Sequence, residues 1–296
     1  MSLSLVFTQK AQAKTKMDPM VGLFTTIVVN NVLNTCILTI RYLVWEPVPI
    51  NFTAVSLLVC GGIFGSVFGR GCIFAAIAIL GAARAGLTKA TMPIFSILGG
   101  ILLLGERLGP LAWLGISVIL FGLFLMSYDS VRRADKKRSI SSNEAPQISR
   151  LSLFKGIAFG LGSAFFLAGG NVFRRPSIIM MPDPFLALSI GSFSALLALI
   201  VILLIQGKGK AMLASVRNIE FNYAISGVFS SAAIFTMLMS LRFVPVSISN
   251  SISSIEPLFT ILFAWLLKEG KKEKLEIRTI LFGVIMVIGT IILMTK

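Results

Sequence analysis

The chain has 296 residues, of which 56% are apolar and only 13% charged. Soluble domains carry about 25% charged residues, so the composition excludes an ordinary soluble enzyme and describes a polytopic membrane protein. There is no histidine, which removes His-based triads, most zinc chemistry and histidine proton relays, and the net charge of +15 falls in polar segments, where it reads as topology and contact with anionic lipid rather than nucleic acid.

Counting a span as ~20 mostly apolar residues, the sequence gives nine spans and a fragment. Residues 1–12, from "MSLSLVFTQK", are apolar but too short to cross, and show no cleavable signal pattern. The first span, 21–44, holds Asn30, Asn31 and Asn34 at mid-helix, where asparagine either bonds to a neighbouring helix or lines a cavity. The second, 53–79, has Gly61, Gly65 and Gly69 at four-residue intervals, a pattern for close helix packing, followed by Arg70. Arg70 pairs with a carboxylate, binds an anionic group or reaches the surface. Cys36, Cys60 and Cys72 all fall within spans and read as small packing residues.

The third span, 84–105, contains Lys89 and Pro93 and ends at Glu106; the fourth is 111–127. Residues 128–152, "YDSVRRADKKRSISSNEAPQISRLS", are basic and Ser-rich, and predict a flexible linker. Spans 153–173, 184–206, 221–241, 247–267 and 278–295 follow.

The two halves repeat. Val6-Phe7 matches Val172-Phe173, Asp18-Pro19 matches Asp183-Pro184, Pro93 matches Pro257, Gly81 matches Pro245, and Glu106 lies near Glu269. The match sets residues 1–12 against the end of span 153–173, so the first span reads as truncated. Five spans per half make the copies enter from opposite sides, an inverted repeat of the kind found in secondary transporters. Loop charge agrees: nineteen of the 27 Lys and Arg fall on one side, six (including Arg174 and Arg175) on the other, and Arg70 and Lys89 lie within spans. The nineteen-charge side, with the linker, is expected in the cytosol.

Glu256 is the sharpest candidate for chemistry. It lies about nine residues into its span, ~14 Å deep, too far for a Glu to reach water at the surface. Ser249, Ser253, Glu256 and Thr260 share one helix face, and such a stripe faces a cavity or another helix. Glu256 is therefore either a protonatable coupling group or a structural partner. Lys89 occupies the position equivalent to Ser253. It either faces the same cavity, contacting substrate or Glu256, or extends back to the interface. Pro93 and Pro257 are expected to kink their helices and free the carbonyls of Lys89 and Ser253. Glu106 and Glu269, at helix ends, read as structural.

These two halves, each with a proline in its fourth helix and an acidic residue about thirteen positions later, resemble the EamA type of the drug/metabolite transporter superfamily. The stretch "TMPIFSILGGILLLGERLGPLAWLGISVILFGLFLMS" carries the likeness in the first copy and "SSIEPLFTILFAWLLKEG", with "ILFGVIMVIGT", in the second. The resemblance implies an all-α bundle of nine to ten transmembrane helices: 1–127 as the first repeat, 128–152 as linker, 153–296 as the second. It implies a central cavity and export of a small metabolite by alternating access.

The expectation is thus a secondary carrier of a small polar metabolite such as an amino acid, an exporter coupled to protons in the cell membrane, with no enzyme activity, metal or cofactor. An organic-anion or phosphate-ester carrier using Arg70 and Lys89, or a non-transporting scaffold, is the alternative. Expected partners are the small-molecule substrate and the bilayer, with a homodimer compatible and nucleic acid not expected.

Overall fold

A computed structural model describes residues 1–44, 46, 48–140, 150–266 and 277–294; Glu269 and the end of the second-repeat signature, 267–270, lie outside them. The helices are α1 Ser2–Thr15, α2 Pro19–Val44, α3 Phe52–Gly62, α4 Arg70–Leu80, α5 Ala82–Lys89, α6 Met92–Leu104, α7 Pro110–Ile140, α8 Arg150–Met180, α9 Pro184–Ile205, α10 Gly209–Arg217, α11 Phe221–Phe243, α12 Val246–Ser253, α13 Glu256–Leu266 and α14 Ile277–Met294. A π-helical segment, Ile63–Gly69, joins α3 to α4 without a break.

Pro19–Val44, Phe52–Leu80, Arg84–Leu104, Leu151–Met180, Pro184–Ile205 and Phe221–Phe243 are long and apolar enough to cross a membrane, and Pro110–Met126 and Leu281–Leu293 are shorter apolar helices. Large side chains such as Leu102, Phe124, Leu204 and Ile291 are exposed around the outside, as lipid-facing surfaces require. The chain is an all-α polytopic membrane protein built as two inverted repeats, α1 to α7 and α8 to α14.

Local chemistry sets the helix ends. Asn51 Oδ1 accepts the Ala54 N–H at 3.1 Å and caps α3. Asp183 caps α9, accepting from Phe185 N–H at 3.0 Å and Leu186 N–H at 3.1 Å, with Pro184 in the first turn where no N–H is needed. Gly105, at φ +63°, ends α6, and Glu106 N–H closes back on the Gly100 carbonyl at 2.9 Å. Gly81, at φ +82°, makes the turn from α4 to α5.

The fourth helix of each repeat is broken rather than kinked. Pro93 and Pro257 each stand second in a new helix, α6 and α13. There the missing N–H removes no bond, because first-turn N–H groups have no helical partner. Tight turns carry the chain across both breaks: Thr91 N–H bonds the Thr88 carbonyl at 3.4 Å, and Ser254 N–H bonds the Ser251 carbonyl at 3.1 Å.

Three sequence expectations are corrected. α8 runs unbroken to Met180, so Arg174 and Arg175 are helical residues, not loop charges. The linker is helical at its start, since α7 continues to Ile140; residues 141–149 lie outside the described part. Cys36 and Cys60 are exposed, on outward faces, and all three cysteines are free.

α8 packs on α3, α4, α6 and the π segment; α2 packs on α9 and α11; α1 lies against α11 and α13; α7 runs along α14. Buried apolar clusters fill the seams, one around Leu23, Phe74 and Tyr223 and another around Leu58, Ile178 and Leu238. A cavity remains between the two halves.

Candidate functional site

The cavity has a volume of about 470 Å³, within the ~300–1,000 Å³ usual for small-molecule sites. Both broken helices reach it. Lys89 ends α5 and Glu256 begins α13, and Lys89 Nζ lies 2.6 Å from Glu256 Oε2. This ion pair joins the first repeat to the second. The breaks make it possible, since each places one charged residue beside an interrupted backbone ladder facing the cavity. The Glu256 carbonyl accepts from Ser2 Oγ and from Thr260 Oγ1, each at 3.0 Å. Glu256 Oε1 is buried with no hydrogen-bond partner among the described residues.

Arg70 and Arg174 form the other charged part of the lining. Arg70 follows directly on the π segment, a distortion often found at functional sites. Its Nη2 donates to Ser230 Oγ at 3.0 Å and Thr26 Oγ1 at 3.2 Å. Its Nη1 donates to Asn30 Oδ1 at 3.0 Å when the amide is oriented to suit its neighbours. Arg174 donates to Asn171 Oδ1 at 3.2 Å and, from Nη2, to Ser66 Oγ at 3.1 Å. Both arginines are buried, at 3% and 6% exposure.

The glycine stripe seats Arg174. A Cβ on Gly61 would lie 2.9 Å from Arg174 Cγ, and one on Gly65 would lie 3.2 Å from both terminal guanidinium nitrogens. The close packing expected of the four-residue spacing is therefore present, and the cavity wall depends on it. Asn171 Nδ2 donates to Asn250 Oδ1 at 2.9 Å, and Asn250 Nδ2 donates to Ser96 Oγ at 2.5 Å. This chain crosses from α8 through α12 to α6, and its two asparagines line the cavity.

Of the sequence candidates, Lys89, Glu256, Pro257, Arg70, Ser249 and Ser253 line the cavity. Ser249 Oγ lies 2.7 Å from Ser240 Oγ, and Ser253 Oγ donates to the Ser249 carbonyl at 2.9 Å. Asn30 sits behind Arg70. Asn31 and Asn34 instead tie helices together: Asn31 Nδ2 donates to the Ser192 carbonyl at 2.9 Å, and Asn34 bonds Ser192 and Ser231. Thr260 is fully buried and turns back on its own helix. Sequence reasoning missed Arg174, because a charge ended the apolar window at residue 173. The signal was the stretch "NVFRRPSIIMM", apolar on both sides of its two arginines.

The sequence model of the EamA-like transporter family matches residues 1–128 and 154–295. The chain belongs to the EamA-like transporter family. No curated protein matches it. A solved crystal structure whose description names no activity matches 99% of this chain and 94% of its own length, with a TM-score of 0.65 and 14% identity; that likeness shows the fold.

Away from the cavity, Glu106 links the repeats at the opposite end of α6. Its carboxylate pairs with Arg175 and accepts from the first turn of α12. At the other end of the bundle, Lys14 pairs with Glu220 at 3.1 Å and Lys208 with Asp18 at 2.8 Å.

Proposed function

We propose that this EamA-like protein is a proton-coupled secondary carrier that exports a small polar metabolite of roughly amino-acid size by alternating access. The observation that carries this reading is the Lys89–Glu256 pair at 2.6 Å, formed between the two repeats at the breaks of two discontinuous helices and facing the cavity. The free Glu256 Oε1 can take a proton. Protonation neutralises the carboxylate and releases Lys89, loosening the contact between α5 and α13. Deprotonation restores it. Access then alternates between this contact and the Glu106 contact at the far end. The side bearing Lys14, Lys208 and the linker faces the cytosol, following the charge bias, and the cell membrane is the site of action. Removing Arg174 from the opposite loops strengthens that bias.

Proteoliposomes loaded with a pH-sensitive dye test the proposal. Addition of amino acids, amines and organic acids one by one should reveal a compound that moves protons with it, and Glu256→Gln should abolish the proton signal while leaving compound exchange. Compound flux in the wild type with no proton movement, or equal proton movement in the variant, would refute the coupling.

A further inference from the structure

We infer that Arg70 and Arg174 together form a binding site for a small organic dianion, such as a phosphate monoester or a dicarboxylate. The inference deepens the carrier reading by naming a substrate class, but binding can be measured without transport.

Two guanidiniums, each more than nine-tenths buried, line one cavity, and Arg174 bonds Ser66, about one turn before Arg70 in the same segment. Among the described residues their protein partners are neutral: hydroxyls of Thr26, Ser230 and Ser66, and the side-chain oxygens of Asn30 and Asn171. Buried arginines are normally paired with carboxylates. Here the candidate carboxylates are engaged elsewhere. Glu256 is on Lys89, Glu106 on Arg175 and the start of α12, and Asp183 on Arg41 at 3.2 Å. Two like charges buried without a counterion are unfavourable unless an anion joins them. Each guanidinium retains donors that its neutral partners leave unused. The planar fork suits carboxylate and phosphate, which it can bind through two parallel bonds. The neutral partners fix the direction of each fork without cancelling its charge. Gly61 and Gly65 clear the space in which the Arg174 side chain lies.

Equilibrium binding of radiolabelled glycerol 3-phosphate to the detergent-purified protein, at constant ionic strength and on material that remains monodisperse, tests this. Saturable binding is expected, displaced by unlabelled malate and inorganic phosphate but not by glycerol or alanine. Arg174→Gln and Arg70→Gln should each weaken it at least about tenfold, the loss expected when a charged hydrogen-bond donor is removed. Arg174→Lys, which keeps the charge, should weaken it less, and it serves as the informative variant if either glutamine substitution does not fold. Asp18→Asn, whose carboxylate pairs with Lys208 away from the cavity, should bind as the wild type does. Absence of saturable binding, equal displacement by glycerol or alanine, or wild-type binding in the arginine variants would overturn the inference. If binding behaves as expected and no proton-linked flux is found, the carrier reading fails and the site stands. Proton-linked flux of a compound indifferent to both arginine variants would leave the carrier and remove the site.

Discussion

Glu106 and Ser247 join the end of one repeat's broken helix to the start of the other's: Ser247 Oγ donates to Glu106 Oε2 at 2.6 Å. The Val246 and Ser247 N–H groups donate to the same carboxylate at 2.7 and 3.2 Å. A carboxylate at a helix N-terminus satisfies orphan donors and meets the positive end of the helix dipole. Arg175 adds an ion pair from α8. One side chain therefore holds α6, α8 and α12 together.

Glu106→Gln should cost about 2–3 kcal/mol, because it removes the charge opposite the partly buried Arg175 while preserving shape. The check is the loss of folded protein on heating in detergent. Wild-type stability in this variant would mean that the contact does not hold the helices.

Lys89→Met and Glu256→Gln should each destabilise the protein, since each leaves a buried charge or its polar partner alone. The double variant should be more stable than the sum of the two losses predicts, with a coupling of about 0.5–3 kcal/mol. The same heating measurement on all four proteins gives the cycle. A coupling near zero would show that the 2.6 Å contact contributes nothing to the resting state.

Much of the fold was legible because hydropathy records membrane spans directly, and because matched pairs such as Pro93 and Pro257 exposed the repeat. Glu256 and Lys89 stood out for the same reason: a charge within an apolar run is rare. The limits of that logic are also specific. Hydropathy ends a helix at a charge, so α8 stopped short of Arg174 and α7 short of Ile140. Proline in an apolar run predicted a kink, but turns precede Pro93 and Pro257, which stand in the first turns of new helices. The separation of Asn30, beside Arg70, from Asn31 and Asn34, against α9 and α11, depends on tertiary packing that a single helix's sequence does not encode.

Gly65→Ala should perturb the cavity wall at Arg174. The new methyl would stand 3.2 Å from both terminal nitrogens of Arg174, pressing on a guanidinium already held by Asn171 and Ser66. Overpacking of this kind costs roughly 1–3 kcal/mol. Gly61→Ala should be at least as severe, because its Cβ would also meet the Gly170 carbonyl at 2.9 Å. Expression and heating profiles of the two alanine variants provide the test, and unchanged profiles would show that α8 can shift away from the glycine face.

Acid should loosen the loops on the Lys14 side of the bundle. Burial works to raise the Asp18 carboxyl, but hydrogen bonds from Lys208 and the Met20 N–H outweigh it and leave it below its ordinary value. Glu220 behaves alike: burial pushes it up, while Lys14 and Asn222 bring it lower overall. A carboxylate depressed in the folded state contributes stability above its unfolded value, about 3.9 for Asp and 4.3 for Glu, and that stability is lost as pH falls through the folded value. Both pairs are solvent-exposed enough that screening keeps each below about 1 kcal/mol. Asp18→Asn should therefore be slightly less stable than the wild type at pH 7, with the gap closing as the pH falls through the folded carboxyl's lowered value. High salt at pH 7 should narrow the same gap. Heating profiles of the two proteins from pH 7 down through the acid range decide it, and a difference that does not shrink as the pH falls would assign the effect of the substitution to something other than the Lys208 pair.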